Sequence, residues 1–413
     1  MAKAETKKLP GMSWLMLSIS KLNAKFYGLI LTIAASTTLL VWRLTTLTNS
    51  YINQFELNTK QQFLMNGHWW KSLNGLYGPY YLLLHLNYAL SHTVFGFRFT
   101  SVLIGVITIA LVYWVVSSWH GYKIGLLSAL ISLTCFGLLA ASRGATPLIS
   151  QLLLVSALLA VVSYINQNAT QIRLILFAVV FAFSLYVPGG IWFALVALWL
   201  SKKALLSAYK TQPKINKFLM PLLPIVIILP LGYQMIRHFS HQQLNNWLGY
   251  GLSTTSLHAF WHGLSLNFIH VPTNLFVHSA NTSVDLYLGH LPLVPLTFSV
   301  LFVLGLYSYL IRLSNWRWRN VVIFIGCGWL IASFGVINLI ALLPLVAVTA
   351  GTGLAFLLKE WYEIFPRNPI ARFAGLFVMY AVVSLSAVYG IRSYFVAWAN
   401  NPSVVSSYHE KLK

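Results

Sequence analysis

The sequence predicts an all-α polytopic integral membrane protein with about eleven transmembrane helices and interface helices in the first outer loop. Three observations predict this class. Apolar residues make up 58% of the 413 residues, only 8% are charged, and the mean hydropathy is +0.73. Soluble domains carry about 25% charged residues. Apolar runs of about 20 residues, the length that crosses a bilayer, recur along the whole chain.

The apolar runs predict eleven transmembrane segments in a single membrane domain that covers residues 1–413. They are residues 26–47, 99–118, 124–142, 148–166, 173–187, 190–201, 218–236, 292–311, 320–337, 339–358 and 373–395. The fifth and sixth are short and are separated by VPGG. Two long outer loops follow from this order, residues 48–98 and 237–291.

The distribution of basic residues predicts the orientation. A net charge of +21 suggests nucleic acid in a soluble protein, but here Lys and Arg lie singly or in short groups between apolar runs. A cytoplasmic N-terminus places 18 of the 27 basic residues on the inner side, as the positive-inside rule expects. We therefore predict a multi-pass cell-membrane protein that contacts membrane lipids and no nucleic acid.

One apolar stretch in the first outer loop is predicted not to cross the membrane. Residues 80–97 pass a hydropathy test, but they include His85, Asn87 and His92. Counting them as a span inverts the charge bias for every later segment. They are therefore predicted to form a helix along the outer interface.

Acidic residues are rare, and only two of the six lie in the long outer loops, Glu56 and Asp285. A carboxylate beside a bilayer is costly unless it is paired or hydrated, so both are candidates for function. The alternative for Glu56 is an exposed ion pair with Lys60, four residues further along a helix.

Aromatic and basic residues on the outer side form the remaining candidate site. Trp69, Trp70 and Tyr80 flank Lys71 and are suited to stacking on a sugar, although such rings also form the ordinary interfacial belt. Three arginines, Arg98, Arg143 and Arg237, lie at the outer ends of spans. A guanidinium suits a lipid phosphate, while the alternative is that each side chain snorkels to bulk headgroups.

Histidines are concentrated in the outer loops, and His258 and His262 have helical spacing. Without a companion Cys or acid this spacing is a weak metal signal, and structural hydrogen-bonded histidines are the favoured interpretation. The sequence therefore predicts no particular cofactor and supplies no support for a divalent metal.

Several segments occur in an order that resembles the GT-C superfamily of membrane glycosyltransferases, in the branch of protein O-mannosyltransferases and aminoarabinose transferases. After the early acid Glu56 come GPYYLLLHL at 78–86, VFGFRFTSVLIGV at 94–106, AASRGATPL at 140–148 and SLYVPGGIWF at 184–193. The likeness covers roughly the first 200 residues and consists of weak signals. Leu148 stands where the family often has an aspartate.

The resemblance implies a hexosyl- or pentosyltransferase that moves a sugar, with inversion, from a polyprenyl-phosphate donor to an unidentified acceptor at the outer face. Glu56 is then the candidate base, and Asp285 a candidate for acceptor or metal binding. The candidate substrate contacts are Lys71, Arg98, Arg143, Arg237, Trp69, Trp70 and Tyr80.

Two other functions remain open. Leu148 favours a catalytically silent protein that keeps the fold and binds a lipid-linked sugar. A transporter of lipid-linked saccharides is the third class. The odd number of spans, the absence of a visible repeat and the lack of ionisable residues within the spans argue against it.

Overall fold

The computed structural model describes residues 10–66, 69–211, 214–237, 240–248, 257–279 and 286–411. The described chain is almost entirely helical, which confirms the predicted class. Its helices are α1 (Pro10–Val41), α2 (Gln54–Asn66), α3 (Gly78–Leu90), α4 (Val94–His120), α5 (Tyr122–Thr134), α6 (Phe136–Arg143), α7 (Ile149–Gln167), α8 (Gln171–Ser184), α9 (Gly190–Thr211), α10 (Lys214–Arg237), α11 (His241–Leu248), α12 (Leu257–Phe276), α13 (Leu296–Leu310), α14 (Trp316–Ser333), α15 (Leu343–Ile364), α16 (Pro369–Arg392) and α17 (Pro402–Ser407).

Each of the eleven predicted segments falls on a helix or a bent helix pair. In the described residues six helices are long and apolar enough to cross a membrane, or seven if α5 and α6 are one span bent by 67°. Shorter apolar helices cover α8, α13 and part of α10. The count of eleven therefore stays a prediction. The bend falls at Cys135, whose extended backbone (φ −68°, ψ 124°) interrupts the helix.

The segment predicted to be the first outer loop contains two helices, and neither is among the described helices long and apolar enough to cross a membrane. Helix α3 has 13 residues, about two thirds of the length that a span needs, and Pro79 lies in its first turn. It buries Tyr80, Tyr81 and Leu84 but leaves Leu90 87% exposed, as expected at an apolar interface. Helix α2 lies across it, with the Phe63 and His85 rings 4.2 Å apart.

Three helices form the centre of the bundle. The apolar windows of α4, α7 and α15 are 67%, 72% and 83% buried, whereas those of α1, α9 and α16 are buried for less than a third. Helices α13 and α15 approach closely because Gly305 and Gly353 face the partner backbone, where a Cβ would lie 2.0 Å from a carbonyl oxygen. Small residues of this kind allow close packing of membrane helices.

The loops predicted on the outer side lie together at one end of the bundle. The Tyr77 N–H donates to the Tyr186 carbonyl at 2.7 Å, and Trp247 Nε1 donates to the Leu185 carbonyl at 2.8 Å. A two-stranded antiparallel sheet at the same end joins the first outer loop to the C-terminal segment, with β1 (Tyr51–Ile52) pairing with β2 (Glu410–Lys411). The candidate site is built at this end.

Candidate functional site

Glu56 and Arg98 form a buried ion pair at the end of the bundle that carries the loops predicted to be outside. Arg98 Nε donates to Glu56 Oε1 at 2.7 Å, and one terminal nitrogen donates to Oε2 at 2.8 Å. The alternative pairing with Lys60 is therefore wrong. Glu56 is 0% exposed and also accepts the Ala145 N–H at 2.9 Å and the Asn53 N–H at 3.3 Å. In this arrangement an acceptor hydroxyl has no path to its carboxylate.

The remaining donors of Arg98 are used by the segment between α1 and α2. They reach the Leu44 carbonyl at 3.0 Å, the Thr48 hydroxyl at 2.8 Å and the Tyr51 carbonyl at 2.8 Å. With the two bonds to Glu56, all five N–H donors of the guanidinium have a protein partner. No donor of Arg98 is left for a ligand phosphate, and the predicted phosphate contact has no support from this geometry.

Arg143 caps the end of α1. Its guanidinium donates to the carbonyls of Leu39, Leu40, Trp42 and Arg43 at 2.8–3.1 Å. The last carbonyls of a helix lack partners within it, and a cation is favoured at that end. Arg143 is only 3% exposed. The described hydrogen bonds of its two terminal nitrogens are thus structural and hold the end of α1.

The C-terminal segment covers both arginines. The Tyr408 ring lies 5.8 Å from the Arg98 guanidinium, and its hydroxyl accepts a hydrogen bond from Asn53 Nδ2 at 3.0 Å. The Phe395 ring lies 4.6 Å from the Arg143 guanidinium. Aromatic faces stabilise buried guanidinium groups in this way. The segment closes the Glu56 ion pair from the outer side.

An apolar groove of about 770 Å³ opens on the flank of the bundle. It is formed by α1, α3, α4, α7 and α8 and is lined by residues such as Leu29, Leu83, Ile107, Ala157 and Val180. From Ser150 to Tyr164 it follows α7 for roughly 21 Å, at 1.5 Å per residue. Its shape and lining suit a long hydrocarbon chain.

A second cavity of about 750 Å³, which we call the chamber, lies at the same end of the bundle as the Glu56 ion pair. Neutral amide side chains dominate its polar lining, and among the described lining residues there is no Asp, Glu, Lys, Arg or His. The amides are Asn58, Gln62, Asn74, Gln151, Gln234, Gln243, Asn245 and Asn246. Amides both donate and accept, and Tyr77, Tyr81 and Trp247 add aromatic faces. This combination suits a neutral, hydroxyl-rich group.

Loops from distant parts of the chain shape the chamber. Helix α11 contributes Trp247, whose carbonyl accepts the Gly189 N–H at 3.0 Å, so α11 is joined to the VPGG turn. On the opposite side, the Ala145 N–H bond to Glu56 holds the turn that presents Thr146 and Leu148. Through this bond the buried carboxylate of Glu56 stabilises one wall of the chamber without lining it.

The other predicted contacts divide into three groups. Lys71 and Arg237 are exposed, and each lies within three residues of a chamber-lining residue, Ser72 and Gln234 respectively. Tyr80 lies in the groove and is 2% exposed, with its hydroxyl 3.1 Å from that of Ser101. Asp285 and the side chains of Trp69 and Trp70 lie outside the described residues.

Leu148 faces the chamber where the resemblance places an aspartate. It occupies the N-cap of α7, and no side chain caps this helix start. The described residues contain no group of three or more His, Cys, Asp or Glu side chains arranged to hold a metal.

Comparison with solved structures identifies the architecture. ArnT from Cupriavidus metallidurans bound to undecaprenyl phosphate matches with a TM-score of 0.52 and 12% identity, covering 90% of this chain and 75% of that one. Its apo form matches with a TM-score of 0.53 and 14% identity over 92% and 74% of the two chains. The chain shares the fold of ArnT.

The archaeal oligosaccharyltransferase AglB from Archaeoglobus fulgidus, in complex with an inhibitory peptide and a dolichol-phosphate, extends this comparison. It matches with a TM-score of 0.50 and 12% identity, over 94% of this chain but only 56% of AglB. No protein-family model and no curated protein sequence matches the chain. The predicted resemblance is thus confirmed for the GT-C fold, as expected for a divergent sequence.

The chamber was missed in the sequence because its polar residues are uncharged. Asn58, Gln62 and Gln151 look like ordinary loop or helix residues when charge is the criterion. A useful signal was present in HQQLNNW at 241–247, where four amides lie within five residues of the second outer loop.

Proposed function

We propose that the protein binds a polyprenyl-phosphate-linked sugar at the outer face of the membrane and transfers the sugar to an acceptor. The observation that carries this proposal is the junction of the two cavities, because Tyr77 lines both the groove and the chamber. A lipid-linked sugar has the same order of parts, a long apolar chain followed by a phosphate and a polar saccharide. The undecaprenyl phosphate bound to ArnT and the dolichol-phosphate bound to AglB support this class of ligand.

The transfer reaction breaks the bond between the anomeric carbon and the phosphate oxygen. An acceptor oxygen forms the new bond to that carbon on the opposite face, its proton passes to a base, and polyprenyl phosphate leaves with the bonding electrons. A phosphate leaving group needs no general acid, so one base is sufficient. The donor sugar is a hexose or a pentose in this proposal.

Lys71 and Arg237 are the proposed phosphate contacts. Both are exposed near the chamber, and Arg237 donates to the Tyr233 hydroxyl at 3.1 Å, which orients its guanidinium. Arg98 and Arg143 instead hold the protein framework. The prediction that Glu56 is the base requires the C-terminal segment and Arg98 to release its carboxylate, and Asp285 stays a candidate for acceptor or metal binding.

The orientation supports transfer on the outer side. The loops that form the chamber belong to the face that the distribution of basic residues predicts to be outside. The N-terminus is then cytoplasmic and the protein a multi-pass component of the cell membrane.

Purified protein in lipid nanodiscs tests the proposal with a panel of polyprenyl-phosphate hexoses and pentoses, with and without crude acceptor. We expect release of polyprenyl phosphate from at least one donor. A panel in which every donor binds but none releases polyprenyl phosphate contradicts transfer. A panel in which none binds contradicts the proposal as a whole.

A second candidate is a catalytically silent protein that binds the lipid-linked sugar. It is favoured by the enclosed carboxylate of Glu56 and by Leu148. Binding without turnover in the same panel is its signature.

A further inference from the structure

Tyr77 occupies the junction between the groove and the chamber. Of the described residues, it is the one that lines both cavities. On the groove side its neighbours are Pro79 and Tyr186, and on the chamber side they are Asn74 and Gln151. A ligand that extends from one cavity into the other passes this side chain.

The backbone of Tyr77 is held in an uncommon conformation. Its φ of +57° lies in the left-handed region, which a bulky side chain rarely adopts because it is strained there. The Tyr77 N–H donates to the Tyr186 carbonyl at 2.7 Å, and the Tyr77 carbonyl accepts the N–H groups of Tyr80 and Tyr81 at 2.9 and 3.1 Å. These bonds hold the backbone of Tyr77 in this conformation.

The hydrogen-bond network determines the direction of the Tyr77 hydroxyl. Gln151 Oε1 accepts the Asn338 N–H at 3.0 Å, so the amide nitrogen must face the other way, where Nε2 donates to the Tyr77 oxygen at 3.1 Å. The tyrosine oxygen is therefore an acceptor in this bond, and its own proton is available for another partner. Among the described residues no acceptor takes that proton.

The Tyr77 hydroxyl remains protonated at physiological pH. Burial raises the pKa of Tyr77 to about 12, an effect that the hydrogen bond from Gln151 partly offsets. The junction thus presents a neutral donor whose proton has no described protein acceptor.

On the basis of the proposed function, the order of parts in the lipid-linked sugar identifies the group that lies beside the Tyr77 hydroxyl. With the prenyl chain in the groove and the sugar in the chamber, the phosphate lies at the junction. We propose that the Tyr77 hydroxyl donates a hydrogen bond to the phosphate of the lipid-linked sugar and so selects a phosphorylated polyprenyl lipid over its alcohol. The bond becomes stronger as charge grows on the departing phosphate during sugar transfer.

Binding measurements in nanodiscs test this with two probes of equal chain length, a polyprenyl phosphate and the corresponding polyprenol. The wild-type protein is expected to bind the phosphate more tightly. Tyr77→Phe should reduce the phosphate affinity about tenfold or more, the usual effect of losing a hydrogen bond to a charged group, and should leave the polyprenol affinity unchanged. Tyr309→Phe, which removes a buried hydroxyl bonded to Thr352 far from both cavities, should alter neither.

A second variant and a third lipid complete the experiment. Gln151→Met leaves Tyr77 in place but removes the group that orients its hydroxyl, so the preference for phosphate should fall in the same direction by a smaller factor. If Tyr77→Phe does not fold, this variant decides the inference.

Phosphatidic acid at the same mole fraction is expected not to compete, and equal competition overturns recognition of a prenyl lipid.

The outcomes separate the inference from the proposed function. If the wild-type protein binds the polyprenyl phosphate and both variants keep the wild-type ratio of phosphate to polyprenol affinity, the role of Tyr77 is overturned and the proposed function stands. If the wild-type protein binds neither probe, both are overturned.

Discussion

Arg98 holds Glu56 in a two-point ion pair, with N···O distances of 2.7 and 2.8 Å and at most 3% of either side chain exposed. The two residues are 42 positions apart and join α4 to α2. Because the same carboxylate accepts the Ala145 N–H, the pair also fixes the turn beside Leu148. Glu56 is one of only six acidic residues in this chain, and its described contacts stabilise the wall of a cavity.

The first prediction concerns the stability of this pair. Glu56→Gln leaves a buried guanidinium without its counter-charge and should lower the free energy of unfolding by about 3–5 kcal/mol, measured by denaturant unfolding in detergent. The double variant Glu56→Met with Arg98→Met should lose less than the sum of the two single changes. Glu363→Gln is the control, because its pair with Lys359 is more than half exposed and should contribute under about 1 kcal/mol. Normal stability of Glu56→Gln with loss of turnover would instead support Glu56 as the base.

The second prediction contrasts two arginines. Arg143→Met removes the donors that cap α1 and should lower the midpoint of thermal unfolding by several degrees. Arg237→Met changes an exposed side chain and should leave that midpoint within about 1 °C. The affinity for polyprenyl phosphate should fall several-fold in Arg237→Met, with a weaker dependence on salt. The reverse pattern would place the phosphate against the α1 end.

The third prediction concerns Leu148. An aspartate here places a carboxylate at the N-terminus of α7, where the helix dipole favours negative charge, and adds that carboxylate to the chamber. Leu148→Asp should therefore fold and should raise the rate of polyprenyl phosphate release over that of the wild-type protein. Leu148→Asn is the matched control, since it supplies a polar side chain of similar size without a base. Equal rates in the two variants would exclude a missing chamber carboxylate as the limit on turnover.

The fourth prediction tests orientation and accessibility together. Asn58 is exposed and lines the chamber, so Asn58→Cys should react with an impermeant maleimide added from outside intact cells. Bound lipid-linked sugar should slow the labelling. The unsubstituted chain is the control, because Cys135 is buried and Cys327 partly buried. Labelling that occurs only from the cytoplasmic side would invert the topology.

Some of this architecture follows directly from the sequence. Hydropathy alone locates the helices on which the eleven predicted segments fall, because a helix satisfies its backbone polar groups within itself, as a bilayer requires. The charge bias also predicts that α3 lies along the interface instead of crossing the membrane, and its 13 residues are fewer than a span needs. These features depend on local composition.

The candidate site depends on contacts that no local pattern encodes. Nothing near Glu56 in the sequence indicates that Arg98, 42 residues away, is its partner instead of Lys60, four residues away. Likewise, Gln151 meets Tyr77 only because α7 lies against the start of α3. Charge alone therefore points to the framework arginines and gives no sign of the amides that line the chamber.

The proposed binding of the prenyl chain in the groove can be tested with a radiolabelled polyprenyl-phosphate sugar. Its affinity is measured for the wild-type protein and for Ala157→Trp. Ala157 lines the groove, and an indole there fills the space assigned to the prenyl chain. Ala374→Trp, on the exposed side of α16, is the control. If the prenyl chain occupies the groove, we expect saturable binding by the wild-type and control proteins and at least a tenfold loss of affinity in Ala157→Trp. Equal affinity in all three proteins, or no saturable binding in any, would contradict it.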